Sequence, residues 1–368
     1  MAEPTWAIVA GGGTAGHLLP GVAVARALVD AGHDPATIHF VGAERGPEAT
    51  LVPEAGFTVD VLPGRGIQRW LALANVGAVL DLVRALVQGI GIVRRRRPAV
   101  VVVLGGYASF ACGVGAVLSR VPLVLLEQNR RAGAVNRALR RFAAAAAVSF
   151  EGTDLPRHRH RQPAPARDPH RRRAPRSGAL ASRARPAGRP HGHRRLLRVA
   201  GLAPHQRRGP RARGPLGRSQ RPRRAPRHRP LRLLGRARRP PELPEGGLAY
   251  QVVDYEDRMH LLLDAADVGV TRGRGVFELM ATGLPAVLVP LPIATRDHQT
   301  ANARAVEALG GAVVVPDAEL DVDRLERELG ALLDDRARLA AMSTAMRSGA
   351  LVDAAERAAQ VVEGAARG

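Results

Sequence analysis

The apolar run Trp6-Ala7-Ile8-Val9-Ala10 leads without a break into Gly11-Gly12-Gly13-Thr14-Ala15-Gly16-His17, and a helical apolar pattern starts near Pro20. A strand, a glycine loop and a helix start make a phosphate cradle. Glycines let the backbone turn tightly and approach a ligand, and the unpaired N–H groups at the helix start favour negative charge. The first reading is therefore a nucleotide or diphosphate site. Gly11, Gly13 and Gly16 also satisfy G-x-G-x-x-G, a spacing shared by dinucleotide enzymes and others. A plain cradle has no need of His17, so this residue is a candidate for chemistry.

The same grammar continues to about Ser149, short β-rich runs alternating with amphipathic helices. Strands are expected at Trp6–Ala10, Thr37–Val41, Val100–Leu104 and Leu123–Leu126. Helices are expected near Pro20–Ala31, Pro47–Ala55, Leu71–Val93, Ala108–Ser119 and Ala134–Arg141. Continuous apolar strands of this length fit a parallel sheet covered on both faces, whose ligands bind at the carboxyl ends of the strands. Three loops fall there: the opening glycine loop, Gly105-Gly106-Tyr107-Ala108-Ser109, and Glu127-Gln128-Asn129. They should converge on one crevice. Between them, the apolar stretch from Trp70 to Val93 follows Gly64-Arg65-Gly66 and ends in Arg94-Arg95-Arg96-Arg97. It reads either as a core helix with a solvated basic end or as a peripheral contact with an anionic membrane. Asp81, Arg84 and Gln88 interrupt it, which argues against a span.

A chain of 368 residues is long enough for two domains. Its single cysteine, Cys112, excludes a disulfide framework and fits a reducing cytosol, and no secretory signal is expected. The formal charge of +22 would point to nucleic acid, but it sits in one block. Residues 156–240 hold 28 arginines against the one acid Asp168, a net +27 that leaves −5 for the remainder. The chain has no lysine, as expected of a GC-rich gene. Composition alone makes the block a disordered arm. Order is expected to return near Leu248, with strands at Tyr250–Val253, Val268–Thr271, Pro285–Pro290 and Ala312–Val315. Helices should cover His260–Ala266, Gly275–Gly283, Gln299–Leu309 and most of Val322–Ala366.

Taken in order, Gly12-Gly13-Thr14-Ala15-Gly16-His17 with Pro20-Gly21, Gly105-Gly106-Tyr107, Glu127-Gln128-Asn129 with Gly133 and Asn136, Gly283-Leu284-Pro285, and Asp297-His298-Gln299 with Asn302-Ala303 form an ordered set. This set resembles the MurG family of bacterial peptidoglycan glycosyltransferases over about residues 6–155 and 246–345. The resemblance implies an α/β fold of the GT-B class, two Rossmann-like domains facing a cleft, here with a disrupted or disordered middle segment. It implies residues 1–155 as the acceptor- and membrane-facing domain and 156–245 as the place of the first half of the donor domain. Residues 246–345 would be the rest of the UDP-sugar domain, and 346–368 a helix returning to the first domain. The implied reaction is an inverting transfer of N-acetylglucosamine from UDP-GlcNAc to the C4 hydroxyl of lipid I, giving lipid II, with no cofactor and no metal. The implied partners are UDP-GlcNAc, lipid I and the anionic inner leaflet of the plasma membrane, with no nucleic acid. The implied location is cytoplasmic, peripheral on the cytoplasmic face of that membrane.

The transfer needs a base for the hydroxyl and positive or N–H character for the departing diphosphate. His17 fits the first by position, against the alternative of a histidine capping a helix start. Thr14, Ala15, Gly16 and Asn129 match family residues that contact UDP-GlcNAc, and Tyr107 lies beside them. Gln299, with His298, matches a residue reading the sugar hydroxyls. Glu278 lies where the family holds the ribose, or is an ordinary glutamate favoured by a helix start. Tyr255 and Glu256 lie where uracil is read, and Gly273, Arg274 and Gly275 where the diphosphate would meet a helix start.

Three features depart from the pattern. Leu126 replaces a histidine common before Glu-Gln-Asn. The stretch Arg272–Glu278 is about two residues short and lacks the usual small hydroxyl residues. The expected Asn-Pro-x-Arg and Gly-Ser-x-Gly motifs of the donor domain are missing between residues 155 and 245. Shifting the reading frame by one base accommodates Thr-Gly-Asn-Pro-Leu-Arg at His160–Pro165 and Phe-Gly-Ser-Leu-Gly or Cys-Gly-Ser-Leu-Gly at Leu197–Leu202. The same shift gives Ile-Asn near His205, so one frameshift near residue 156, compensated near 240, accounts for the block. Two other classes compete. A dinucleotide oxidoreductase would want an acid ending the second strand, where Phe40-Val41-Gly42-Ala43 stands. A nucleic-acid binder would rest on the arginine block alone, which has no aromatic platform.

Overall fold

The computed structural model describes residues 5–11, 15–44, 46–63, 74–155, 258–273, 275–292, 294 and 297–368. Thr14, Arg274, Tyr255, Glu256, the Tyr250–Val253 strand, the loop 64–66 and the block 156–240 lie outside the described residues.

The first unit runs β1 (Ala7–Ala10), α1 (Ala15–Asp30), β2 (Ile38–Ala43), α2 (Glu48–Glu54), β3 (Thr58–Leu62), α3 (Ala74–Arg96), β4 (Val100–Val103), α4 (Tyr107–Ser119), β5 (Leu123–Glu127), α5 (Ala134–Leu139) and β6 (Ala145–Val148). Its six strands are all parallel, in the order β3-β2-β1-β4-β5-β6. This is the doubly wound order, in which the chain reverses direction across the sheet between β1 and β4 and opens a crevice at their carboxyl ends. Strands of Val, Ile and Leu are buried on both faces, which splits the core in two. One layer gathers Val9, Leu28, Phe40 and Val102, and the other gathers Ile8, Val101, Val103 and Cys112.

The sequence signal missed β3 and β6. Thr58–Leu62 has an exposed, mixed pattern at the sheet edge, and Ala145–Val148 is an alanine run with no β-branched residue before Val148. Helix α1 begins five residues before Pro20, so the proline lies inside the helix instead of opening it. The buried Leu18, 1% exposed, anchors that early turn in the core.

The second unit runs α6 (Met259–Ala265), β7 (Gly269–Thr271), α7 (Val276–Thr282), β8 (Ala286–Leu288), α8 (His298–Ala308), β9 (Ala312–Val314), α9 (Val322–Asp334), α10 (Arg336–Gly349) and α11 (Ala354–Ala366). Its described strands pair in parallel in the order β7-β8-β9. Asp321 and Asp335 cap α9 and α10 by accepting from the N–H groups of Arg324 and Arg338.

The two units are stapled in both directions. Phe150, just past β6, packs in the second unit's core, its ring centroid 5.0 Å from that of Phe277. Ala358, Ala359, Val362 and Ala365 of α11 join the first unit's core against α1. His33 and Glu363 add a 3.1 Å contact at the same seam.

Candidate active site

The second expected loop begins with Gly105 and Gly106, at φ +107° and +87°. Only glycine takes two successive left-handed positions at low cost, so the pair turns β4 sharply into α4. Ser109 fastens that turn to the neighbouring strand: its hydroxyl accepts from Gly105 N at 3.0 Å and lies 2.5 Å from the Ala10 carbonyl. His17 lies against this turn: a Cβ built on Gly105 would stand 3.6 Å from the imidazole Nδ1 and Cε1, at ordinary contact distance, so it is the positive φ and not crowding that calls for glycine here. His17, half-buried on the first turn of α1, therefore lies over the β4 turn at the switch point of the sheet. Gly16 is exposed beside it, and Ala15 is the first residue of the helix. Opening and second loops thus meet as expected.

Tyr107 is tied down within the first unit. Its hydroxyl donates to the Leu62 carbonyl at 2.9 Å, and burial, with the nearby carboxylates of Glu48, Glu44 and Asp81, pushes its pKa up from the usual phenolic value.

The third loop is organised by a carboxylate. Glu127, 4% exposed at the end of β5, accepts from Asn129 N (2.9 Å) and Asn129 Nδ2 (3.1 Å) on one oxygen. Its other oxygen accepts from Gly133 N (2.8 Å) and Asn136 Nδ2 (3.0 Å). A buried carboxylate costs several kcal/mol unless its lone pairs are met, and here four N–H groups meet them. The loop is fixed in the shape that presents Asn129. Leu126, by contrast, turns its side chain into the core and offers only its carbonyl, which accepts from Asn136 Nδ2 at 2.9 Å.

The second unit faces this edge with α8. Gln299, 5% exposed, accepts the Leu291 N–H through Oε1 at 2.9 Å, which leaves its amide NH2 as the donor end. His298 precedes it as the first residue of the helix, half-buried. Gly273, at φ +73°, abuts the same turn: a Cβ would stand 3.1 Å from the Gln299 carbonyl oxygen. Gly275, also left-handed, caps α7, and Glu278 is exposed in its first turn. Arg272 is paired with Asp317. Gly273, Gln299 and His298 are therefore brought together.

One residue joins the two edges. Asn302, 5% exposed and one turn beyond Gln299, accepts from Arg130 N at 3.0 Å and donates to Asn129 Oδ1 at 3.1 Å. Sequence reasoning quoted Asn302 and Glu127 within motifs without giving either a role. The signal available was their chemistry, a carboxylate two residues before an asparagine and an amide one turn past a polar helix start.

Two family descriptions match the chain: glycosyltransferase family 28 N-terminal domain over residues 7–148, and its C-terminal domain over residues 236–359. A UDP-N-acetylglucosamine--N-acetylmuramyl-(pentapeptide) pyrophosphoryl-undecaprenol N-acetylglucosamine transferase of Alkalilimnicola ehrlichii is 36% identical over 96% of this chain and 97% of its own length. The transferase of the same name from Methylococcus capsulatus is 35% identical over 96% of this chain and 97% of its own. Among solved structures, Acinetobacter baumannii MurG superposes with a TM-score of 0.65 at 21% identity, covering 98% of this chain and all of that one. The glycosyltransferase of kitacinnamycin gives 0.59 at 20% identity, covering 99% of this chain and all of its own. The fold these share with the chain is two Rossmann-like α/β domains with parallel sheets.

Proposed function

Because the chain belongs to the family of UDP-N-acetylglucosamine--N-acetylmuramyl-(pentapeptide) pyrophosphoryl-undecaprenol N-acetylglucosamine transferases, within glycosyltransferase family 28, we propose that its site transfers N-acetylglucosamine from UDP-GlcNAc to lipid I, giving lipid II for peptidoglycan. The observation that carries the reading is His17 over Gly105 at the β1/β4 switch point, with donor-side α8 tied to the neighbouring β5 loop through Asn302. The acceptor's C4 hydroxyl attacks the anomeric carbon, a C–O bond forms as the bond to the diphosphate breaks, and UDP leaves. The hydroxyl proton passes to an imidazole nitrogen of His17, and N–H groups meet the charge left on the diphosphate.

In this reading Thr14, Ala15, Gly16 and Asn129 contact the donor from the acceptor side. Gln299 and His298 read the sugar hydroxyls, Gln299 through its free NH2. Glu278 holds the ribose, Glu256 the uracil, and Gly273, Arg274 and Gly275 the diphosphate. Tyr107 supports the acceptor wall. On α3, Val83 and Val87 are 51% and 64% exposed beside Arg84, while Ala85, Ile92 and Val93 pack inward. That outer face supports peripheral contact with an anionic membrane on its cytoplasmic side. Among the described residues no helix is long and apolar enough to cross a membrane.

The arginine block is a stretch of the donor domain read in the wrong frame. What supports this is its composition, the recovery of both missing motifs by one shift, and the gap between the two family matches, which leaves residues 149–235 unassigned. A clean read of the coding DNA decides it: absence of Asn-Pro-x-Arg and Gly-Ser-x-Gly in the shifted frame sinks the idea. The chain as it stands should make negligible lipid II, and the frame-corrected enzyme should make it from UDP-[14C]GlcNAc and a lipid I analogue. In the corrected enzyme, His17→Ala should lower kcat by about 10²–10⁴-fold, the usual yield of a positioned base. A corrected enzyme that makes no lipid II refutes the transferase reading, and an unimpaired His17→Ala variant refutes the base.

A further inference from the structure

We propose that Asn302 is a positioning residue that orients the Asn129 amide across the cleft, with a polarity dictated by Glu127. The proposal rests on the transferase reading for its kinetic consequence, though not for the contact itself. The argument begins with the carboxylate, which can only accept. Glu127 Oε1 therefore faces the NH2 end of Asn129, at 3.1 Å, and the Asn129 oxygen must point the other way. Whatever meets that oxygen has to donate. Asn302 does so with Nδ2 at 3.1 Å, which turns its own oxygen toward the Arg130 N–H at 3.0 Å.

Each orientation follows from the one before it, and none can be reversed without setting two donors or two acceptors face to face. The relay starts on β5 and ends on α8, so it locks the loop after β5 to the helix that carries His298 and Gln299. Among the described residues, these contacts leave one N–H of the Asn129 NH2 group uncommitted. It is a donor held in a fixed direction, suited to an oxygen of the sugar nucleotide. An untethered asparagine would rotate and offer either end.

Asn302→Asp separates a polarity relay from a plain clasp. Aspartate keeps the size of asparagine and can still accept from Arg130, but it sets a carboxylate against Asn129 Oδ1. Asn302→Ala removes both bonds. A clasp predicts that Asp is the milder change; a relay predicts that Asp is at least as damaging as Ala.

Thermal midpoints of the full chain, native and with Asn129→Ala, Asn302→Ala, both together, and Asn302→Asp, test the contact without any turnover. The expected result is a double variant destabilised by less than the sum of the two singles, because both remove the Asn129–Asn302 bond while each also loses a bond of its own. Asn302→Asp should melt no higher than Asn302→Ala. In the frame-corrected enzyme, both changes at Asn302 should raise KM for UDP-GlcNAc by about tenfold, the scale of one buried hydrogen bond, with kcat within about threefold. Additive midpoints, or an Asn302→Asp variant with native KM and midpoint, overturn the proposal. If the corrected enzyme makes no lipid II, the transferase reading fails on that result, and the midpoints alone still uphold or overturn the relay.

Discussion

Glu127 is the residue on which the geometry of the third loop depends, and replacing it gives the sharpest stability prediction. Its four donors are not equally exposed to loss. Asn136 Nδ2 keeps the Leu126 carbonyl at 2.9 Å, whereas Gly133 N, Asn129 N and Asn129 Nδ2 have no second acceptor among the described residues. In Glu127→Gln the new NH2 will settle on the side of Gly133 and Asn136, where only Gly133 loses its partner, at a cost of about 1–2 kcal/mol. In Glu127→Ala three donors are stranded together and a buried side chain is lost, about 3–4 kcal/mol. For a unit of this size each kcal/mol moves the melting midpoint by about 2–4 °C, so Gln should lower it by roughly 3–6 °C and Ala by roughly 10 °C. Differential scanning calorimetry of the full chain at neutral pH measures both. An Ala variant within about 2 °C of the native chain, or a Gln variant as unstable as Ala, would refute the assignment of four accepted bonds.

The other predictions concern the frame around the site. Cys112 is fully buried, and desolvation pushes its pKa from an ordinary 9.0 to about 12. The folded state therefore holds a proton that the unfolded state gives up, so stability is complete below pH 9 and declines as pH rises toward 12. Urea titrations should show this thiol costing about 1.4 kcal/mol at pH 10 relative to pH 8. At pH 8 a disulfide reagent should label it only in denaturant, and rapid labelling of the native chain would contradict its burial. Gly11→Ala would place a Cβ 2.6 Å from Leu104 Cδ1 and 2.7 Å from Leu104 Cβ, and Leu104 is 2% exposed. It should cost about 1–3 kcal/mol by chemical denaturation, and a neutral result would show that the opening loop has slack. Val362→Ala on α11 should cost about 2 kcal/mol, because Val362 is 0% exposed against the first core, while Val322→Ala, at 77% exposed, should be neutral. Equal effects would mean that α11 is not part of that core.

The sequence carried the parallel sheet legibly wherever strands are rich in Val, Ile and Leu: β1, β2, β4 and β5 all lie where apolar continuity put them. It hid β3 and β6 because an edge strand is half-solvated and an alanine run has no strand preference, so their pairing is decided by neighbours distant in the chain. Pro20 misled for a related reason, since its preference for the first turn yielded to the burial of Leu18 ahead of it. At the site, His17, Gly105, Gln299 and Gly273 were recognisable from residue type and motif order. Asn302 was not, because its partner is 173 positions away and no periodicity links them.

That distance bears on how the two units stay together across the arginine block. Among the described residues three seams join them: Phe150 enters the second core, α11 enters the first, and Asn302 bonds to Asn129 and Arg130 at the cleft. None of the three uses a residue between 156 and 257. The first two are apolar, while the third is polar and sits among the loops themselves. Apolar seams tolerate small sliding, since their strength scales with buried area rather than with direction. A hydrogen-bonded amide pair does not, because a shift of an ångström breaks it. The cleft-side seam therefore sets the register between the loop after β5 and α8, in which, on the proposed transferase reading, His17 on one unit and Gln299 on the other would confront a common substrate, and the apolar seams hold the units near enough for that register to form.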